Sequence, residues 1–240
     1  HRQADEAFVH ALQAVRTGDV EAAEAFFISR LQPQTDSAFV GTTIKALNVD
    51  VDRYNLLQLD ALGGRPVTCT AVRSGTPRTE WRHIPTMLSL KLGALVMILS
   101  NKRRGAHLDF EYVNGDLGTL MDVTEGGHPT ASIRLQRTGQ VVRVEPVVRE
   151  HVRFEQRKKV VVGSISYMPL RAAWATTVDK SQGLSFDAVQ VDIRNRFFHT
   201  PGRLYVALSR ARTLQGLRVV GTPHHVRKHC VVDPEVKAWL

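Results

Sequence analysis

Apolar residues recur along the first quarter of the chain at the spacing of helices. Phe8, Leu12 and Val15 fall at i, i+4 and i+7, and Gly18 follows where a left-handed cap belongs. Asp19 is placed to cap a second helix carrying Ala22, Ala25 and Phe26, with Leu31-Gln32-Pro33 leaving it. Ala38-Phe39-Val40 reads as a short strand and Gly41-Thr42-Thr43 as the turn after it. Ile44, Leu47, Val51 and Tyr54 then continue at helical spacing. Strand, polar turn, helix is the repeating unit of an α/β domain.

From about residue 85 to 162 the pattern changes. Residues 92–98, 117–123, 131–135, 141–144 and 159–162 are short runs rich in Val, Ile and Leu. Between them lie Asn114-Gly115, Glu125-Gly126-Gly127-His128-Pro129 and Thr138-Gly139, all turn chemistry. Such spacing predicts a small β-barrel or sandwich. The α/β pattern resumes after Ser166, with buried strands at 189–193 and 217–220 and a helix from about 201 to 212 between them. Thr200 is placed to cap that helix and Pro201 to occupy its first position. The chain reads as an α/β domain interrupted by a β module.

The 240 residues suffice for both, and an apolar fraction of 43% fits a globular core rather than disorder. Formal net charge is +9, from 32 Lys and Arg against 23 Asp and Glu. A surplus of that size suits a polyanion such as nucleic acid, and equally a generally basic surface. Cys69 and Cys230 are too few and too far apart for a zinc site or a disulfide scaffold, so the reducing cytoplasm is the expected location. The longest apolar run, 92–99, falls far short of the roughly 20 residues that cross a bilayer.

Two stretches concentrate polar chemistry. The first runs Ala175-Thr176-Thr177-Val178-Asp179-Lys180-Ser181-Gln182-Gly183-Leu184-Ser185. Hydroxyls, one Lys, one amide and a Gly at the end of an element can meet phosphate or sugar oxygens; a solvated turn has the same composition. The second runs Gly202-Arg203-Leu204-Tyr205-Val206-Ala207-Leu208-Ser209-Arg210-Ala211-Arg212. On a helix, Leu204, Leu208 and Ala211 form the buried stripe. Arg203 and Arg210, seven apart, then share a face where two guanidinium forks can reach one anion. Two helix-surface arginines in water would show the same spacing.

Together these stretches carry a resemblance. Thr177 to Gly183 closely resembles motif V of superfamily 1B helicases, and Tyr205 to Ala211 resembles their motif VI. The spacing and the intervening strand match too, especially for the PIF (petite-integration-frequency) type and its RecD-like relatives. His1-Arg2-Gln3-Ala4-Asp5 with Phe8 resembles their motif IV, and Thr42-Thr43 followed by Asn48 resembles the threonine–asparagine helix after it. Leu92-Gly93-Ala94 through Asn101, with Asn114-Gly115-Asp116-Leu117-Gly118, is similar to their SH3-like insertion, called 2B. The resemblance implies an α/β fold: a second RecA-like domain, a parallel sheet with helices on both faces, from residues 1–84 and 166–240. An SH3-like small β-barrel is inserted at 85–165.

It further implies the C-terminal part of an ATP-dependent DNA helicase that moves 5′ to 3′ on single-stranded DNA as a monomer. ATP and Mg²⁺ would be held mainly by the N-terminal RecA-like domain of the same protein. Arg210 would be the arginine finger at the γ-phosphate and Arg2 a second arginine there, which suits the spread of charge in phosphoryl transfer. Gln182 and Gly183 would lie near the nucleotide. Thr43, Asn48, Thr177, Asp179, Lys180 and Ser181 would face single-stranded DNA. Asp179 stands where most relatives carry His, and either hydrogen-bonds a neighbour or points away. Arg203 stands where many carry Gln, adding a cation. A module of a relaxase or of a RecD-like nuclease complex is the alternative on the same fold.

The sequence has no G-x-x-x-x-G-K-[ST] loop and no run of acids after an apolar strand to hold Mg²⁺. It is therefore expected to begin mid-protein and to hydrolyse no ATP by itself. Between Arg134 and Lys159, eight Arg or Lys accompany three Glu. That is either a solvated barrel face or an exit surface for single-stranded DNA. With only Phe110, Tyr112 and Phe154 nearby, phosphate contacts are expected over base stacking.

Overall fold

Two aspartates start the chain's first two helices. Asp5 Oδ1 accepts from Phe8 N at 3.2 Å and begins Glu6–Thr17; Asp19 Oδ1 accepts from Ala22 N at 3.0 Å and begins Val20–Phe27. Between them Gly18 adopts φ +76°, a left-handed conformation that glycine enters without a Cβ penalty. Phe8, Leu12 and Val15 are buried as expected. In the second helix the buried residues are Ala23 and Phe27, one position later than Ala22 and Phe26. Glu24 pairs with Arg227 of the later helix Pro223–His229, which joins the two ends of the chain.

The computed structural model describes residues 5–34, 39–105, 109–124, 129–155 and 158–239, and divides into two compact units. The first comprises 1–56 and 174–240. Its core is a five-stranded sheet in the order Leu31–Gln32, Leu217–Val220, Val189–Asp192, Thr42–Lys45, Ala175–Thr177, parallel throughout. Thr42, Thr43, Ile44, Val189, Gln190 and Val191 are all wholly buried, as continuous burial in central parallel strands requires. One element is thereby corrected. Thr42–Lys45 is the strand, where the sequence suggested a turn, and the next helix starts at Asn48. Two threonines concealed it: polar by type, but β-branched and suited to a strand.

The second unit, 57–173, is built of antiparallel strands. A five-stranded sheet runs Val141–Val144, Thr130–Leu135, Leu117–Thr124, Leu95–Ile98, Leu170–Ala172. Ala131, Ile133 and Leu135 alternate inward from the second of these strands. A long hairpin, Val147–Glu155 with Lys158–Tyr167, is joined by Val72–Gly75, while Val67–Thr70 pairs with Met87–Leu90. Trp81, Ile165 and Tyr167 pack together under the hairpin. Asp116 is 7% exposed at its side chain and takes the Arg137 fork at 3.1 and 3.0 Å, which secures the turn before Leu117. The unit therefore extends beyond 85–165 at both ends, because strands 67–75 and 170–172 pair within it.

Candidate nucleic-acid and nucleotide site

Open parallel sheets bind ligands beyond the carboxyl ends of their strands, and the first polar stretch begins at one of them. Thr177 ends the strand Ala175–Thr177 and caps the short helix Val178–Ser181, its Oγ1 accepting from Lys180 N at 3.4 Å. Ser181 Oγ donates to the Val178 carbonyl at 2.7 Å. Both side chains are buried, so these hydroxyls hold the turn together instead of facing outward. Thr43, also expected to face DNA, is buried in the sheet and accepts from Gln190 Nε2 at 3.3 Å.

The exposed members of the stretch are Asp179, Lys180, Gln182 and Gly183. Gly183 adopts φ +82° with nothing within 4 Å of the position a Cβ would take, so a partner could approach its backbone. Lys180 Nζ donates to Asn48 Oδ1 at 2.8 Å. That bond joins the first residue of the helix Asn48–Ala61 to the exposed turn, and both residues are exposed.

Arg203 and Arg210 do not share a helical face. The helix spans only Arg203–Leu208 and starts from Gly202, at φ +75°, with no side-chain cap from Thr200. It ends early because Ala211 leaves to form a parallel bridge with Phe186, so Arg210 sits in the turn beyond. Arg203 stacks 3.7 Å above the Phe197 ring and lies 3.5 Å from Asp179 Oδ2. Arg210 is 8% exposed. Its Nε donates to Val206 O at 2.7 Å, and its Nη1 to Leu184 O at 3.1 Å and Ser181 O at 3.4 Å. Its Nη2 donates to Ser209 Oγ at 2.8 Å. One guanidinium thus binds the two polar stretches into one body beside Gly183. Arg2, the other arginine expected at the nucleotide, lies outside the described residues.

A charged cluster that sequence reasoning missed sits at two neighbouring strand ends. Asp192 is gripped by Arg194 at 2.8 Å and approached by Lys45 at 3.5 Å. Burial alone would raise this carboxyl, but the two cations outweigh it and hold the group below its ordinary range. Its only sequence signal was an acid and a base two apart at the end of an apolar strand. Among the described residues no group of His, Cys, Asp and Glu side chains could hold a metal ion, and no helix is long and apolar enough to cross a membrane.

Residues 172–217, which contain the two polar stretches and Asp192–Arg194 but not Thr43, Lys45 or Asn48, match the family of UvrD-like helicase C-terminal domains. The ATP-dependent DNA helicase Pif1 of Bdellovibrio bacteriovorus is 29% identical over 98% of the chain, which covers 51% of that protein. The mouse ATP-dependent DNA helicase PIF1 is 33% identical over 91% of the chain, which covers 33% of it. The crystal structure of a Bacteroides Pif1 helicase in complex with ADP-AlF3 and ssDNA matches with a TM-score of 0.70 and 26% identity, over 100% of this chain and 54% of that one. The chain thus spans between a third and about half the length of the relatives it matches. By sequence along nearly its whole length, and by fold, the chain is similar to Pif1 helicases, and over residues 172–217 to the C-terminal domain of UvrD-like helicases.

Proposed function

We propose that this chain is the C-terminal motor half of an ATP-dependent DNA helicase that moves 5′ to 3′ on single-stranded DNA. ATP and Mg²⁺ are held mainly by an N-terminal RecA-like domain, and the β unit is the SH3-like insertion. The observation that carries the reading is the joining of the two motif-like stretches by Arg210, with exposed Lys180, Asn48 and Gln182 alongside. In this reading Lys180 and Asn48 meet the phosphates of the strand. Arg210 is the arginine finger, kept in place by carbonyls until a nucleotide draws it out. An anion is a better partner for a guanidinium than neutral carbonyls, so the exchange favours the loaded state. The alternation between the two partners links nucleotide chemistry to the turn that touches DNA. The comparison protein crystallised with ADP-AlF3 and ssDNA supports this choice of ligands.

The test uses the longer protein that contains a nucleotide-binding half. Arg210→Ala should abolish ATP turnover while DNA affinity stays nearly intact; unchanged turnover refutes the finger. The 240 residues alone should show no ATPase activity, and measurable turnover by them would refute the division of labour.

A further inference from the structure

The basic surplus is unevenly placed. Residues 57–173 hold 17 Lys and Arg against 10 Asp and Glu, whereas the remainder of the chain holds 15 against 13. Attraction for a polyanion therefore resides mainly in the β unit, outside the motif-like stretches. Within that unit Arg149, His151 and Arg153 alternate along one strand of the long hairpin, whose pairing shifts register after His151, and His151 lies against Trp81 and Thr76. Successive members stand about 7 Å apart at the rise of a strand.

At the foot of this row lies a pocket of about 210 Å³. Leu88, Leu99 and Leu170 contribute apolar walls. The polar residues at it are Arg149, whose guanidinium lies 5.4 Å above the Tyr167 ring, Glu80, His83 and Cys69. The volume is below the roughly 300–1,000 Å³ of sites that enclose a whole small-molecule ligand, and suits a single planar group. An apolar slot beside a stacked guanidinium, with Arg153 further along the same strand, fits a group that is flat and apolar at one end and anionic at the other.

We infer that this pocket is a single-base subsite for single-stranded nucleic acid: one nucleobase enters between the leucine walls and Tyr167, and its flanking phosphates lie on Arg149 and Arg153. Glu80 supplies an acceptor for a base N–H, such as the N3–H of thymine. The inference borrows only the single-stranded ligand from the reading above, since none of its residues belongs to the Asn48–Lys180 site. It differs from the sequence expectation for this unit, which was phosphate contact without base recognition.

Cys69 gives a native handle, because it lines the pocket while Cys230 is buried. The experiment measures N-ethylmaleimide addition to Cys69 in the full 240-residue chain by peptide mass spectrometry. It is run alone, with saturating oligothymidylate, and with an abasic sugar-phosphate chain of equal length, while fluorescence anisotropy reports binding. The expected result is alkylation about tenfold slower with the oligothymidylate, the size of one base-stacking contact, and unchanged with the abasic chain. In Arg149→Gln the ratio of bound to free alkylation rates, measured within that variant, should return to about one, so that protection is lost. Equal protection by the abasic chain overturns the base subsite, as does an unchanged rate with the oligothymidylate demonstrably bound. Protection by an apolar peptide but not by the oligonucleotide overturns it in favour of a protein partner. If Lys180→Ala leaves DNA affinity unchanged while Cys69 remains protected, the earlier site fails and this one stands.

Discussion

Asp179 and Arg203 lie 24 residues apart in sequence and 3.5 Å apart in space. The helicase resemblance implies His at the first position and Gln at the second, and this chain has an acid and a base there instead. Each would be awkward alone, an anion beside a DNA path and an extra cation on a short helix. As a pair, with Arg203 stacked on Phe197, they neutralise one another. Asp179 is 63% exposed, so the pair contributes little to stability. Asp179→Asn should change the free energy of unfolding by less than about 0.5 kcal/mol. It should also tighten single-stranded DNA binding, because Arg203 is released beside Lys180. Anisotropy titrations showing weaker binding would remove Asp179 and Arg203 from the DNA surface.

Lys180→Ala should weaken binding of single-stranded DNA and reduce the slope of log affinity against log salt by about 0.7, as follows when one phosphate is no longer neutralised. Asn48→Ala should weaken binding less, since Asn48 orients the Lys180 ammonium through a 2.8 Å bond. A salt slope that is identical in wild type and Lys180→Ala would place the phosphate-binding cation elsewhere.

Arg210 is structural in the isolated chain whatever it does in a longer protein. Arg210→Ala removes the guanidinium donors from the carbonyls of Ser181, Leu184 and Val206, of which Ser181 keeps Leu184 N and Val206 keeps Ser209 Oγ. The 240 residues should lose about 2–4 kcal/mol in urea unfolding. Arg210→Lys should recover only part of this, because one ammonium cannot span acceptors arranged around a planar fork. An unchanged midpoint in Arg210→Ala would show that these bonds contribute nothing to the packing of the two stretches.

His229 is 1% exposed. Burial first, then the neighbouring His225, His199 and Lys228, pull it down from 6.5 to about 4. Because the folded state resists its protonation, the unfolded chain binds the extra proton between those values. Stability is therefore full above about pH 6.5 and falls as pH drops towards 4, by at most about 1.4 kcal/mol per pH unit. Guanidinium unfolding at pH 7 and 5 should show this loss in the wild type and a smaller one in His229→Phe. Equal losses in the two would assign the acid sensitivity to other groups.

The sequence revealed the periodic elements well and the irregular ones poorly. Phe8, Leu12, Val15, Gly18 and Asp19 marked two helices because stripe, cap and stop all agreed. The strand Val147–Glu155 escaped notice because Arg149, Glu150 and Arg153 break up its apolar run, and only the partner Lys158–Tyr167 makes it a strand. At the site, residue type said which groups were polar but not which way they point. Thr43, Thr177 and Ser181 turned inward because a central strand and a four-residue helix left their hydroxyls local acceptors and carbonyls to bond. Arg210 and Arg203 parted because the bridge between Phe186 and Ala211 is a long-range contact that no helical spacing encodes.

The strand Thr42–Lys45 has two neighbours, Ala175–Thr177 and Val189–Asp192, and both follow the inserted unit in the chain. On a ribosome adding roughly 5–20 residues each second, that strand emerges and waits on the order of ten seconds for its first hydrogen-bonding partner. Until then its buried threonines and Ile44 have no sheet to join, while the insert can complete its own hairpins. Biogenesis should therefore run from the middle outward, with the parallel sheet closing last across a loop of more than a hundred residues, and the nascent Thr42–Lys45 edge is the point at which a chaperone would be most needed.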